Sequence, residues 1–153
     1  MTKALITGAG SGIGAAIARA FDKRGYSLVL VDRDATALDA LAATLGAAPE
    51  KIICDLASRD NVELLCERLR SDLADLDILV NNAGIIVPGA VADLDQAALD
   101  LHLEINLRTP IRLMRAAAPQ MIARRNGAMV STVSLGGIIS LKDSAIYSAS
   151  KFG

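Results

Sequence analysis

The feature that most constrains this chain is an alternation repeated five times. Short, nearly continuous apolar runs at residues 4–7, 28–31, 51–54, 77–80 and 128–133 are separated by segments whose apolar residues recur at helical spacing. Runs rich in Val and Ile and bounded by turn residues read as strands covered on both faces, the pattern of a parallel sheet. Between two of them, Val62, Leu65, Leu69 and Leu73 share one helical face, while Glu67, Arg68, Arg70 and Asp72 occupy others. Strand–helix–strand units are right-handed in nearly all cases, so the expectation is an α/β, doubly wound parallel sheet of about five strands with helices on both faces. Residues 1–153 hold no repeat, low-complexity segment or linker and are expected to form a single domain.

Composition excludes several functions. Sixteen Lys and Arg against seventeen Asp and Glu leave a net charge of −1, with 3% aromatic residues. A nucleic-acid binder wants a basic face and stacking rings, so none is expected as a partner. No apolar run approaches the roughly 18–20 residues of a membrane span, so no membrane partner is expected. The start, Lys3-Ala4-Leu5-Ile6-Thr7, carries no leader-like apolar region, and a cytoplasmic location is the expectation. Cys54 and Cys66 are too few for a disulfide framework or a metal site and are expected to be buried free thiols.

The first chemistry lies in the turn after the first strand, Thr7-Gly8-Ala9-Gly10-Ser11-Gly12-Ile13-Gly14, which leads straight into the helix opening at Ala15. Glycines there let the backbone turn sharply and approach a pyrophosphate, which a helix N-terminus stabilises through free N–H groups and its dipole. The loop is answered about 20 residues on by Asp32, at the end of the second strand. The bland alternative is a tight turn and a solvated aspartate. The functional reading is a Rossmann-type sheet whose candidate cofactor contacts are Gly8, Ser11, Gly12, Ile13, Gly14 and Asp32. A carboxylate at Asp32 can accept from a ribose diol and repels a 2′-phosphate, so NAD is favoured over NADP. Arg33, beside it, could pair with such a phosphate and works against that preference.

Two further motifs extend the pattern: Asn81-Asn82-Ala83-Gly84 at the end of the fourth strand, and Tyr147-Ser148-Ala149-Ser150-Lys151. With the glycine loop they make the chain similar to the short-chain dehydrogenase/reductase family, in its ordinary, non-extended branch. The resemblance implies an oxidoreductase exchanging a hydride between NAD(H) and a carbonyl or secondary alcohol, and a homo-oligomer built on the long helix and the Tyr/Lys helix. It implies Tyr147 as acid/base, Lys151 also holding the nicotinamide ribose, Ser134 bonding the substrate oxygen, and Asn106 linking the lysine to solvent. It places Asp55, with Leu56 beside it, near the adenine. It has Asn81 bracing the central strand and Asn82, Ala83 and Gly84 lining the adenosine side. Members ordinarily continue past the Tyr-x-x-x-Lys helix, so residues 1–153 are expected to lack the C-terminal substrate-binding part and to leave the fifth strand as an open apolar edge. A non-catalytic nucleotide-binding fragment is therefore the alternative.

The residues supply their own reasons. Tyr147 and Lys151, four apart, share one helix face. A phenol ordinarily titrates near pH 10, and an ammonium about 4 Å away offers about 1–4 kcal/mol toward the phenolate. Ser134 closes the fifth strand at the edge where such sheets place ligand-facing residues, with Ser131, Thr132 and Ser140 as competing hydroxyls. Asn106 is expected in a long helix that opens near residue 94, capped by Asp93 with Gln96 three residues on. Pro110 has no N–H for the Asn106 carbonyl, which predicts a kink that frees that carbonyl for a water. Asp55 could instead cap the helix after it. His102 reads as a satisfied or solvated histidine, and Arg124 with Arg125 as compensation of a helix dipole. The segments 85–88 and 136–139 are expected to wall an apolar substrate pocket.

Overall fold

The computed structural model describes residues 1–140 and 142–153. Five strands, β1 (Lys3–Thr7), β2 (Ser27–Asp32), β3 (Glu50–Ile53), β4 (Ile78–Asn81) and β5 (Ala128–Ser131), form one parallel sheet in the order β3-β2-β1-β4-β5. Alternate residues of each strand face opposite layers. Ala4, Ile6, Leu28, Leu30 and Val80 pack under α1 (Gly12–Asp22) and α2 (Ala35–Ala42) through Ala15, Ala18, Leu38 and Leu41. Leu5, Val29, Val31 and Leu79 face α3 (Arg59–Arg70) and α5 (Thr109–Arg124), meeting Val62, Leu65, Leu69, Leu113 and Ala117. Double coverage is why the central strands read as unbroken apolar runs. The edge strands differ. β3 begins a residue early, at Glu50, and β5 ends at Ser131 instead of 133, with Val130 and Val133 left 52% and 77% exposed.

The long helix opens later than its sequence suggests. Asp95 is the N-cap of α4 (Gln96–Leu103), its Oδ1 accepting from the Ala98 N–H at 2.8 Å, while Asp93 sits in the preceding turn and donates its N–H to the Ala90 carbonyl. Gln96 bonds forward to Asp100 and closes no capping box. The helix then widens into a π turn, Glu104–Arg108, before α5. Thr109 N–H reaches back five residues to the Glu104 carbonyl. Pro110 explains the widening, since it offers no N–H to Asn106 and its ring crowds that carbonyl. At the far end, Arg124 donates to the Ala74 and Leu76 carbonyls and so ties α5 to the approach to β4, while Arg125 is the left-handed C-cap with φ 52°. Arg124 is thus a tether between elements more than a neutraliser of the helix end. A 3₁₀ turn (Leu135–Gly137) and α6 (Ala145–Phe152) complete the order. Among the described residues no helix is long and apolar enough to cross a membrane.

Candidate nucleotide site

The chain runs outward from β1 to β3, then returns to place β4 on the other side of β1. At that reversal the loops after β1 and β4 diverge, leaving a crevice at the carboxyl ends of the strands. A cleft of about 450 Å³ opens there.

Its floor depends on close backbone packing. Gly14 is buried, and a Cβ there would drive into the Gly8 carbonyl and stand 2.7 Å from Asn82 Nδ2. Gly12 has φ +51° and nothing within 4 Å of an added Cβ, so its backbone faces open space. Asp34, Ser58 and Asp95 cap α2, α3 and α4 with their side chains, whereas Ser11 at the start of α1 makes no such bond, and the first turn of α1 has no acidic residue. An exposed, uncapped, unopposed helix start beside a glycine turn suits a pyrophosphate.

The loops are cross-tied. Thr7 Oγ1 accepts the N–H groups of Asn82 (3.0 Å) and Ala83 (3.1 Å) and donates to the Val80 carbonyl. Asn82 Nδ2 reaches the carbonyls of Thr7 (3.1 Å) and Gly8 (3.3 Å), and its Oδ1 accepts from Thr132 Oγ1 at 3.2 Å. One amide thus joins the ends of β1, β4 and β5. Bracing expected of Asn81 belongs to Asn82, because strand alternation turns Asn81 into the core, where its side-chain atoms have no partner among the described residues.

Asp32 is half-buried, with Oδ2 accepting from Gly10 N–H (2.9 Å) and Oδ1 from Asp34 N–H (3.1 Å). Each oxygen keeps a lone pair, and Arg33 stands exposed beside it. Asp55 makes a local turn by accepting Ala57 N–H, while Ser58 caps α3, so the capping alternative for Asp55 fails. Cys54 and Cys66 are free and buried. Burial first, then the adjacent Asp55, pushes the Cys54 thiol up to about 11. Burial, and next Glu63, raises Cys66 as well.

At the other end, Asn106 is buried in the π turn and pairs with both backbone groups of Ile85, Oδ1 accepting its N–H and Nδ2 donating to its carbonyl, each at 2.9 Å. Nδ2 also donates to Ser150 Oγ at 2.9 Å, and Ser150 donates to the Tyr147 carbonyl. Lys151 Nζ donates to the Thr132 carbonyl at 3.1 Å. An added Cβ on Gly136 would meet Tyr147 Cε1 at 2.9 Å and Ser134 Oγ at 3.5 Å, so serine and tyrosine flank one small gap. Ser134 Oγ itself accepts Gly136 N–H.

The cleft is lined by Gly8, Ser11, Gly12 and Ile13 of the loop, by Asp32, Arg33, Asp55 and Leu56, by Asn82, Ala83 and Gly84, and by Tyr147 and Lys151. Gly14 lies behind this surface, and Asn106 and Ser134 lie off it. Cys54, Ile105 and Thr132 also line the cleft, where the sequence did not place them. Thr132 could have been found from its place at the carboxyl end of β5, while the two apolar-type residues read as core.

A parallel sheet with such a cleft at its reversal defines the class of nucleotide-binding α/β proteins. The family model described as short chain dehydrogenase matches residues 2–153, and the chain belongs to that family. It is 40% identical over 151 residues to Nodulation protein G of Rhizobium meliloti (strain 1021), covering 99% of this chain and 62% of that protein. It is similar to the bulky-bulky ketone specific alcohol dehydrogenase from Comamonas testosteroni, with TM-score 0.94 and 34% identity over 99% of this chain and 62% of that one. A short-chain dehydrogenase from Sphingobium yanoikuyae, solved in complex with NADPH, matches with TM-score 0.94 and 37% identity over 99% and 61%. The chain therefore spans about three fifths of the length of these relatives.

Proposed function

We propose that this chain carries the nucleotide site and proton-transfer residues of an NAD(H)-dependent oxidoreductase acting on a small carbonyl compound or secondary alcohol. The observation that carries the reading is the single cleft reaching from the glycine loop and Asp32 to Tyr147 and Lys151. A nicotinamide dinucleotide bound there would give or take the hydride. The uncapped start of α1 would hold its pyrophosphate, and the spare lone pairs of Asp32 would take the adenosine ribose hydroxyls. A 2′-phosphate would meet that carboxylate, which favours NAD, although Arg33 and the relative solved with NADPH argue for testing both. Tyr147 gives a proton to the carbonyl oxygen as it becomes a hydroxyl, and takes it back in the reverse direction. Lys151, four residues along the same helix face, would hold the nicotinamide ribose. Ser134 orients the substrate oxygen across the gap beside Gly136.

Asn106 holds Ile85 and Ser150 with its side chain, which leaves its carbonyl, denied an N–H by Pro110, to take a water between Lys151 and solvent. The test is ketone-dependent oxidation of NADH. The reading expects turnover that falls by about 10²-fold or more in Tyr147→Phe while NADH still binds. Turnover retained in Tyr147→Phe would refute the assignment.

A further inference from the structure

The stretch after β4, residues 85–89, has no regular structure, yet Ile85 and Ile86 line the cleft on the side of Tyr147 and Lys151. Something must hold it there, because a segment without ladder bonds otherwise moves freely. Its backbone is fastened at alternate residues by two buried side chains. Asn106 takes both groups of Ile85. His102, 0% exposed and one helical turn earlier, takes the next: its Nε2 accepts Val87 N–H at 3.0 Å, and its Nδ1 faces the Ala98 carbonyl at 2.7 Å. An N–H at one ring nitrogen and a carbonyl at the other fit a single tautomer, with the proton on Nδ1. The imidazole also stands edge-on to the Tyr147 ring, with centroids 6.5 Å apart and planes at 68°. Gly89 N–H then donates to the Asp143 carbonyl at 2.8 Å, in the turn just before α6. Residue 86 lies between the two clamped neighbours, so its side chain is aimed by them.

We propose that His102 is a positioning residue of the nucleotide site: with Asn106 it clamps residues 85–87 so that Ile86 is held as a wall of the cleft beside Tyr147. The inference rests on the nucleotide reading of the cleft. Its chemistry is specific. The position needs a buried acceptor aimed at Val87 N–H, and an apolar side chain of the same size does not supply one.

Two variants separate that bond from mere packing. His102→Leu fills the space and leaves Val87 N–H without an acceptor. His102→Gln restores an oxygen acceptor at the ε position facing Val87 N–H and gives up only the contact with the Ala98 carbonyl. Hydrogen exchange at the Val87 amide is read without nucleotide, and affinity is read by NADH and NADPH fluorescence titration, with melting curves recorded for each protein. An unpaired buried N–H carries a penalty equivalent to about a tenfold change in a local equilibrium. In His102→Leu, Val87 exchange is expected to speed about tenfold and nucleotide affinity to fall several-fold. In His102→Gln both are expected to stay within about twofold of the parent.

Three results would overturn the proposal. Unchanged Val87 exchange in His102→Leu means that the clamp does not exist. Faster exchange with unchanged affinity means that it exists but positions nothing. Equal losses in both variants, with equal drops in melting temperature, mean that His102 is only packing. If the parent protein binds neither nucleotide, the reading of the cleft fails first and the positioning role falls with it.

Discussion

Gly14→Ala tests whether close packing of the helix on the strand builds the cleft. The added methyl would press on the Gly8 carbonyl and on Asn82 Nδ2, 2.7 Å away. Neither can yield cheaply. Gly8 is fixed at φ +63° with its own Cα side against Ala83, and Asn82 is held by Thr7, Gly8 and Thr132. Relief requires α1 to lift from β1, and overpacking of this kind costs typically 1–3 kcal/mol, more where backbone must shift. For a chain of this size each kcal/mol moves the melting temperature by about 2–4 °C, so a fall of roughly 6–12 °C is expected for about 3 kcal/mol. Gly12→Ala is the control. Its methyl meets nothing, and only the positive φ of +51° resists it, which costs about 1 kcal/mol and about 2–4 °C. Circular dichroism melts of the three proteins decide the matter. A Gly14→Ala protein melting within 2 °C or so of the parent, or at the temperature of Gly12→Ala, would refute the packing argument.

Thr7→Val should destabilise by about 1–3 kcal/mol in urea, because Ala83 N–H loses its acceptor and Asn82 N–H keeps only the Val80 carbonyl, while Thr7→Ser should lie close to the parent. Cys54 holds its proton up to about 11 against an ordinary 9.0, so the unfolded thiol ionises first as pH rises. The stability this confers is complete below pH 9 and is lost on approach to 11, and melting temperatures across that range should fall less steeply in Cys54→Ala. The raised Cys54 pKa and its burial together should make alkylation by iodoacetamide at neutral pH far slower in the native than in the unfolded protein. Val130 and Val133 on and beyond the open edge of β5 should drive self-association, and a sharp monomer boundary in sedimentation at tens of micromolar would contradict this.

The sheet was legible because its central strands are covered twice, which leaves only apolar residues to write. The glycine loop was legible for a related reason: where α1 packs on the turn after β1 as closely as Gly14 does on the Gly8 carbonyl, few residues fit. The edges were not, since Glu50 pairs through its backbone and its side chain is free to be polar. Asp93 and Asp95 are equally good caps as letters, and only the turn ahead of α4 chooses between them. The kink at Asn106 was readable from Pro110, but its form, a π turn with the amide locked on Ile85, depends on a loop 21 residues away. His102 could be expected to be satisfied, and nothing local says by what. Its partner on the far side is Val87, an apolar residue contributing only its backbone.

The central claim, that the cleft between the glycine loop and Lys151 takes a nicotinamide dinucleotide through Asp32, is tested most directly by fluorescence titration with NADH beside NADPH. The account predicts saturable binding of both or of NADH alone, tighter for NADH by about tenfold, the effect of one carboxylate facing a 2′-phosphate. Binding of neither would contradict the site, and tighter binding of NADPH would contradict the role given to Asp32.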